Sequence, residues 1–239
     1  MRPYLDPDDH AFANGPVFAR PASIEAARAL FDRPEDGDRL WAVFEAFGRG
    51  AQAGEGLRLG LAARLVTPAG ERPATLGRDC AIRGVIRCEG AGRVEIGERV
   101  YVGDGVIISA RTMIAIGDGT LLAHGVQIFD NDTHPLDAGE REAHFRSILK
   151  LEKPRAFDIP SRPIRIGRGC WVGFGAAVMK GVSLGDGAGG HDRAVVTSDV
   201  PAGGVVAGNP ARPVRRSGLG ALLRWLSKSL AGATRRTRA

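Results

Sequence analysis

The sequence predicts an all-β solenoid, a parallel β-helix, and three observations carry that prediction. An aliphatic residue followed by a small one recurs every six residues. The series runs Ile96-Gly97, Val102-Gly103, Ile108-Ser109 and, after a slip of two residues, Ile116-Gly117, Leu122-Ala123 and Ile128. It resumes at Ile166-Gly167, Val172-Gly173, Val178-Met179, Leu184-Gly185 and Val196-Thr197. Four residues into most hexads stands a second small or branched residue: Val100, Val106, Thr120, Val126, Cys170, Ala176, Val182, Ala188 and Ala194. The composition, 44% hydrophobic with only 6% aromatic, suits a core of Val, Ile and Leu. A short fixed period is the signature of stacked repeats. Strand side chains alternate between faces, so a hexad supplies a short strand with two inward residues and then a corner. Three hexads close one triangular coil.

The elements follow in order along the chain. Residues 1–20 read as irregular. Ser23 is placed to cap a short helix from Ile24 to Phe31. A second helix is expected from Gly37 to Phe47, with Leu40, Trp41, Phe44 and Phe47 on one face. Residues 57–95 mix strand-like pieces with turns and read as irregular first coils. Residues 96–128 form a first regular block and 164–200 a second. Between them, 129–163 lose the period and carry Pro135, Pro154, Pro160 and Pro163, so they should loop out of the solenoid. A loop of that length inside a compact domain is usually functional. Residues 201–216 exit the coils, and the leucines of 219–230 recur at helical spacing. The division is therefore an N-terminal, partly helical segment (1–75), a solenoid (76–216) and a basic amphipathic tail (217–239). One hexad breaks the rule: position 190 should be aliphatic but is Gly190, which predicts a gap or bulge.

Composition narrows the function classes. At 239 residues the chain suits one main domain with appendages. The start carries Asp6, Asp8 and Asp9 and no apolar run, so no secretory signal is expected. No apolar stretch is long enough for a membrane span. Three cysteines, Cys80, Cys88 and Cys170, lack a metal or disulfide spacing, and Cys80 and Cys170 read as small core residues of a cytoplasmic protein. The net charge of +6 is unevenly spread. Residues 205–239 hold eight Arg or Lys and no acid, which leaves about −2 for the rest. That argues against a general nucleic-acid groove and for a local anion site or an interaction of the tail, its helix either docked on the last coil or in contact with a membrane surface.

The stretches Ile166–Gly173, Gly181–Gly187 and Val205-Val-Ala-Gly-Asn-Pro-Ala-Arg212, with Trp171 and the His134-Pro135 loop in the right order, carry a resemblance. Over residues 82–216 the chain resembles the hexapeptide-repeat acyltransferases, and within them the maltose, galactoside and polysaccharide O-acetyltransferases. The resemblance implies a left-handed β-helix, acetyl-CoA as co-substrate without a metal, a small-molecule or glycan acceptor, and a homotrimer with each active site between two solenoids.

His134 is the leading catalytic residue. An imidazole titrates near pH 6.5 and so accepts and releases a proton at neutral pH. From the residues alone a loop histidine is usually a solvated side chain. The resemblance makes it the general base, with Asp132, Asp137 or a backbone carbonyl to fix its tautomer. His124 reads as structural; His10, His144 and His191 read as surface residues, with no convergence suited to zinc. The resemblance places Trp171 at the acceptor and pantetheine cleft, and Gly173, Phe174 and Asp192 along the pantetheine arm; Asn131 and Asp132, beside His134, are read as further acceptor-binding residues. The resemblance places Thr197, Ser198, Arg212 and Arg215 near the adenine end and phosphates, where guanidinium forks suit phosphate oxygens. Ser198 replaces the family's Lys. Gly103 stands where the maltose and galactoside enzymes carry an Asn. The reading is an O-acetyltransferase of a sugar or glycan precursor. An N-acetyltransferase of an amino sugar or xenobiotic, and a non-catalytic scaffold, are the alternatives.

Overall fold

The computed structural model describes residues 16–151, 153 and 155–214. They wind into a left-handed parallel β-helix with three walls. Wall one holds Arg58–Gly60, Ala81–Ile82, Tyr101–Val102, Leu121–Leu122, Trp171–Val172, Gly189–Gly190 and Val205–Ala207. Wall two holds Arg64–Val66, Val85–Cys88, Ile107–Ala110, Gln127–Phe129, Ala177–Val178 and Val195–Val196. Wall three holds Ala51–Ala53, Ala74–Leu76, Arg93–Ile96, Met113–Ile116, Ile164–Ile166 and Ser183–Leu184. One strand from each of walls three, one and two makes a coil, and six coils are complete.

The hexads are the inward ladders of these walls. Ile82, Val102, Leu122 and Val172 stack in register on wall one. Ile86, Ile108, Ile128, Val178 and Val196 stack on wall two, and Ile96, Ile116, Ile166 and Leu184 on wall three. The second residues of the hexads, from Val100 to Ala194, are all buried as well. Burying a Val, Leu or Ile is worth about 1.5–3 kcal/mol, so the ladders account for strands only two to four residues long. The small residue after each aliphatic has a different partner. A Cβ on Gly97, Gly167 or Gly173 would stand 2.2–2.6 Å from the carboxylate oxygen of Asp118, Asp186 or Asp192 in the next coil. These aspartates accept the backbone N–H of Glu98, Arg168 and Phe174 at 2.8–2.9 Å, so each coil is capped by the next.

The solenoid begins at Ala51, earlier than residue 76, because the irregular first coil already pairs with the second on all three walls. Helix α1 (Ile24–Arg28) has Ser23 at its N-cap, its hydroxyl accepting from the Ala26 N–H. Helix α2 (Pro34–Gly50) starts on a proline pre-set for the first turn. It buries Leu40, Val43, Phe44 and Phe47 into the same core as the first coils. Trp41, expected on that face, is only half-buried and carries the Arg20 guanidinium 5.8 Å above its ring. Wall one is closed at both ends by antiparallel strands, Val17–Ala19 on Arg58–Gly60 and Arg212–Pro213 on Val205–Ala207. Gly190 lies in regular parallel register between Val172 and Val206, so the expected gap is present without a bulge.

The loop after Phe129 contains a helix that the sequence pattern does not announce, α3 (Ala138–Ile148), capped by the Asp137 carboxylate on the Glu140 N–H. None of its residues is buried. The helix expected at 219–230, the basic tail and Arg215 lie outside the described residues. No described helix is long and apolar enough to cross a membrane.

Candidate active site

The His134 loop is rooted in a buried carboxylate. Asp130 is fully buried and accepts from the backbone N–H groups of Arg111, Thr112 and Met113, from the Thr112 hydroxyl and from the Asn131 amide, at 2.7–3.0 Å. It thereby satisfies the corner of the coil below, where the two-residue slip in the hexads lies. Its own carbonyl accepts from the Arg162 N–H at 2.8 Å, and the Asp132 N–H donates to the Pro160 carbonyl at 3.1 Å, so the two ends of the loop are tied together. Sequence reasoning missed Asp130, because an acid at the start of a polar loop looks solvated.

Asn131 is buried too. Its amide group donates to Asp130 and to the Ser109 carbonyl, and its side-chain oxygen accepts from the Thr133 N–H at 2.8 Å. These bonds shape the turn that launches His134. Asp132, expected beside the acceptor or the imidazole, is paired with Lys180 of the next coil. Thr133 takes a left-handed backbone conformation, φ +62°, which is rare for a β-branched residue.

His134 is exposed, and Pro135 behind it is buried. Its Nδ1 lies 3.1 Å from Nδ1 of His144 on α3, with the rings edge-to-face at 5.1 Å. Thus neither Asp132 nor Asp137 supports the imidazole; the second histidine meets it. Burial, then the charges of His134 and Arg111, hold His144 below the usual histidine range, with Glu89 opposing them. Phe157, from the returning limb of the loop, packs on the other side of His144 at 4.7 Å.

A groove opens on wall two beneath the loop, lined by Gln127, Phe129, Asn131, Thr133, Ala177 and Met179. The remaining candidates lie along the edges of the same wall, further up the solenoid. Gly173, Phe174 and Asp192 form its corners with wall one. A Cβ on Gly173 has no room against Asp192, and the Phe174 ring is flanked by the Arg193 guanidinium at 5.6 Å. Thr197 and Ser198 are exposed at the opposite edge, and Arg212 is exposed on the last described strand. Trp171 stands apart, 41% exposed on the outer face of wall one with His191 against it at 5.7 Å. His134 and Trp171 therefore lie on different walls of one chain. At Gly103, where the resemblance leads one to expect Asn, a Cβ would meet the Leu122 carbonyl at 3.0 Å and Ala123 and His124 backbone at 3.1 Å, so this corner is shaped for glycine.

The thiols play no part in this arrangement. Cys80, Cys88 and Cys170 are buried and unpaired, and burial pushes all three upward, Cys88 to about 11. Among the described residues no group of three or more His, Cys, Asp or Glu is placed to hold a metal ion.

No family model matches the chain. Individual proteins do. Nodulation protein L of Rhizobium meliloti (strain 1021) is 35% identical over 137 residues, 57% of this chain and 67% of that protein. WcaF of Escherichia coli (strain K12), assigned to colanic acid biosynthesis as an acetyltransferase, is 28% identical over 142 residues, 59% of this chain and 69% of WcaF. Among solved structures, AntD, an N-acyltransferase from Bacillus cereus crystallised with dTDP-4-amino-4,6-dideoxyglucose and coenzyme A, shares the fold. Its TM-score is 0.56 at 14% identity, over 78% of this chain and 96% of AntD. Hexads that stack in register, a His-Pro loop between two blocks of coils and extended identity to nodulation protein L make this chain a member of the hexapeptide-repeat acetyltransferase family.

Proposed function

We propose that the chain transfers an acetyl group from acetyl-CoA to a hydroxyl of a sugar or glycan precursor, with His134 as general base. The observation that carries this reading is an exposed imidazole on a turn rooted in the buried Asp130, next in sequence to Thr133, which lines a groove along wall two. In this mechanism the acceptor hydroxyl gives its proton to Nε2 of His134 as its oxygen attacks the thioester carbonyl. The carbon–sulfur bond then breaks, and the departing thiolate takes the proton back from Nε2. Direct transfer suits a site whose cysteines are all buried and protonated.

The acyl carrier would run along wall two, past Gly173, Phe174 and Asp192 to Thr197 and Ser198. Arg212 and Arg215 would meet its phosphates. Trp171, round the corner on wall one, would serve the acceptor site of a neighbouring copy in a homotrimer. A closed ring is the natural outcome of such a head-to-tail contact. A cytoplasmic setting, where acetyl-CoA and reduced thiols coexist, belongs to the same proposal, as does a peripheral membrane contact through the basic tail.

The test is His134→Ala. Positioned base catalysis contributes roughly 10²–10⁴-fold. The variant should lose about that much turnover and bind acetyl-CoA as before; wild-type turnover would end the proposal. The amino sugar bound to AntD favours a second reading, N-acetyl transfer. Radiolabelled acetyl-CoA offered with matched hydroxyl and amino acceptors separates the two.

A further inference from the structure

We propose that His144 is a positioning residue for His134, the two Nδ1 atoms sharing one proton that His134 carries, so that Nε2 of His134 presents its lone pair to the acceptor. This rests on the reading of His134 as the base. At 3.1 Å one nitrogen must donate and the other accept, because two N–H groups would repel and two lone pairs would gain nothing. Which nitrogen of an imidazole holds its proton is set by the bond the other makes. With His134 as donor, its Nδ1 is protonated and Nε2 is the base. When Nε2 takes the acceptor proton, the Nδ1–H now belongs to an imidazolium, and its bond to His144 becomes charge-assisted and stronger. The interaction therefore strengthens as charge develops, which is the requirement for lowering the barrier.

His144 must stay neutral for this, and its surroundings favour that. His134 faces it from the start of the loop, and Arg111 and Glu89 act from the corners below. Arg155 lies on the returning limb, beyond Phe157, and pairs with Glu140 of α3 at 2.9 and 3.1 Å. Burial and the couplings to His134 and Arg111 outweigh Glu89, so the neutral form, the only one with a ring nitrogen free to accept, is preferred. The ring is also held mechanically. Asp137 caps α3, Glu140 grips Arg155 one turn before His144, Arg155 lies 4.2 Å over Phe157, and Phe157 packs on His144. A helix with no buried residue thus has one face fixed, the face that carries His144.

His144→Phe and His144→Asn, with histidine-selective ¹⁵N labelling, test this. Phenylalanine keeps the packing against Phe157 and removes the acceptor. Asparagine puts an amide oxygen near the position of Nδ1. Partners that orient an imidazole are typically worth about 10–100-fold in function. His144→Phe should lower kcat by about that factor, with KM for acetyl-CoA unchanged, and His144→Asn should recover most of it. The ¹⁵N shifts of His134 should report a proton on Nδ1 in the wild type and on Nε2 in His144→Phe. Wild-type kcat in His144→Phe, or a wild-type His134 protonated on Nε2, overturns the inference. Failure of the base itself looks different: His134→Ala would keep turnover, whatever the tautomer of His134.

Discussion

Gly190 and Val196 face each other across the core with an unfilled space between them: a Cβ built on Gly190 touches only Val196 Cγ2, at 3.7 Å. The backbone of Gly190 is ordinary strand, so alanine fits without strain. Gly190→Ala should therefore stabilise, by about 0.4–1 kcal/mol from the restricted unfolded chain alone. For a domain of this size that raises Tm by roughly 1–4 °C. Gly173→Ala should do the reverse, since its Cβ would lie 2.6 Å from the Asp192 backbone nitrogen. Calorimetry on the pair checks both signs.

Thr133 is expected to exchange stability for turnover. Holding an L-residue in the left-handed region costs about 1–2 kcal/mol, whereas glycine adds about 0.5–1 kcal/mol of backbone entropy. The first term is larger, so Thr133→Gly should be at least as stable as the wild type. It should also have lower kcat, because His134 follows directly and loses its fixed approach. Thermal melts with steady-state kinetics decide it, and a lowered Tm would contradict the strain argument.

Asp130→Asn should loosen the loop selectively. The amide must turn an N–H toward backbone N–H groups that now donate to a carboxylate. Losing bonds to a buried charged acceptor costs about 1.5–3 kcal/mol. Hydrogen exchange should accelerate at Arg111, Thr112 and Met113 and through the loop neck at Arg162. Exchange unchanged at those amides would remove Asp130 from its role as root.

The cysteines should be inert. With Cys80, Cys88 and Cys170 buried and their thiols pushed up, the thiolate is scarce at pH 8. Ellman's reagent should label none in the native protein and three after denaturation. A fast-reacting native thiol would contradict this.

The hexads were legible because a core two residues wide imposes its period on every strand; Val102, Leu122 and Val172 could be aligned before any coordinate was known. The loop was legible from lost period and prolines. α3 was not, since a helix without a buried face has no apolar stripe, and its start depends on the local bond from Asp137. The first coil was legible only from residue 57, because its opening strand Ala51–Ala53 has no hexad of its own and is defined by pairing with the coil above. The contact between His134 and His144 spans ten residues of loop and exists only because α3 folds back. Gly103 was read as a missing functional group, and its reason lies in the crowded backbone of the next coil.

His144 gives stability a pH dependence with a definite sign. Its folded-state pKa is lowered, so the unfolded chain binds the proton more readily. Stability is then full above the unfolded value near 6.5 and falls as pH drops below it, levelling once the folded histidine also protonates. His144→Phe should flatten that part of the curve, measured by urea titrations at a series of pH values. An unchanged slope would show that His144 carries no such shift in solution.

The two antiparallel strands that close wall one have a bearing on how such chains change length over generations. Val17–Ala19 and Arg212–Pro213 are unlike any coil between them, and each runs antiparallel to its neighbour where the rest of the wall is parallel. A coil duplicated outside either seal would meet an antiparallel strand on wall one in place of a matching ladder. A coil duplicated inside would find matching ladders above and below it. Gain or loss of repeats is therefore favoured in the interior, and an insertion between the His134 loop and Arg212–Pro213 would carry the two further apart by one step of the stack.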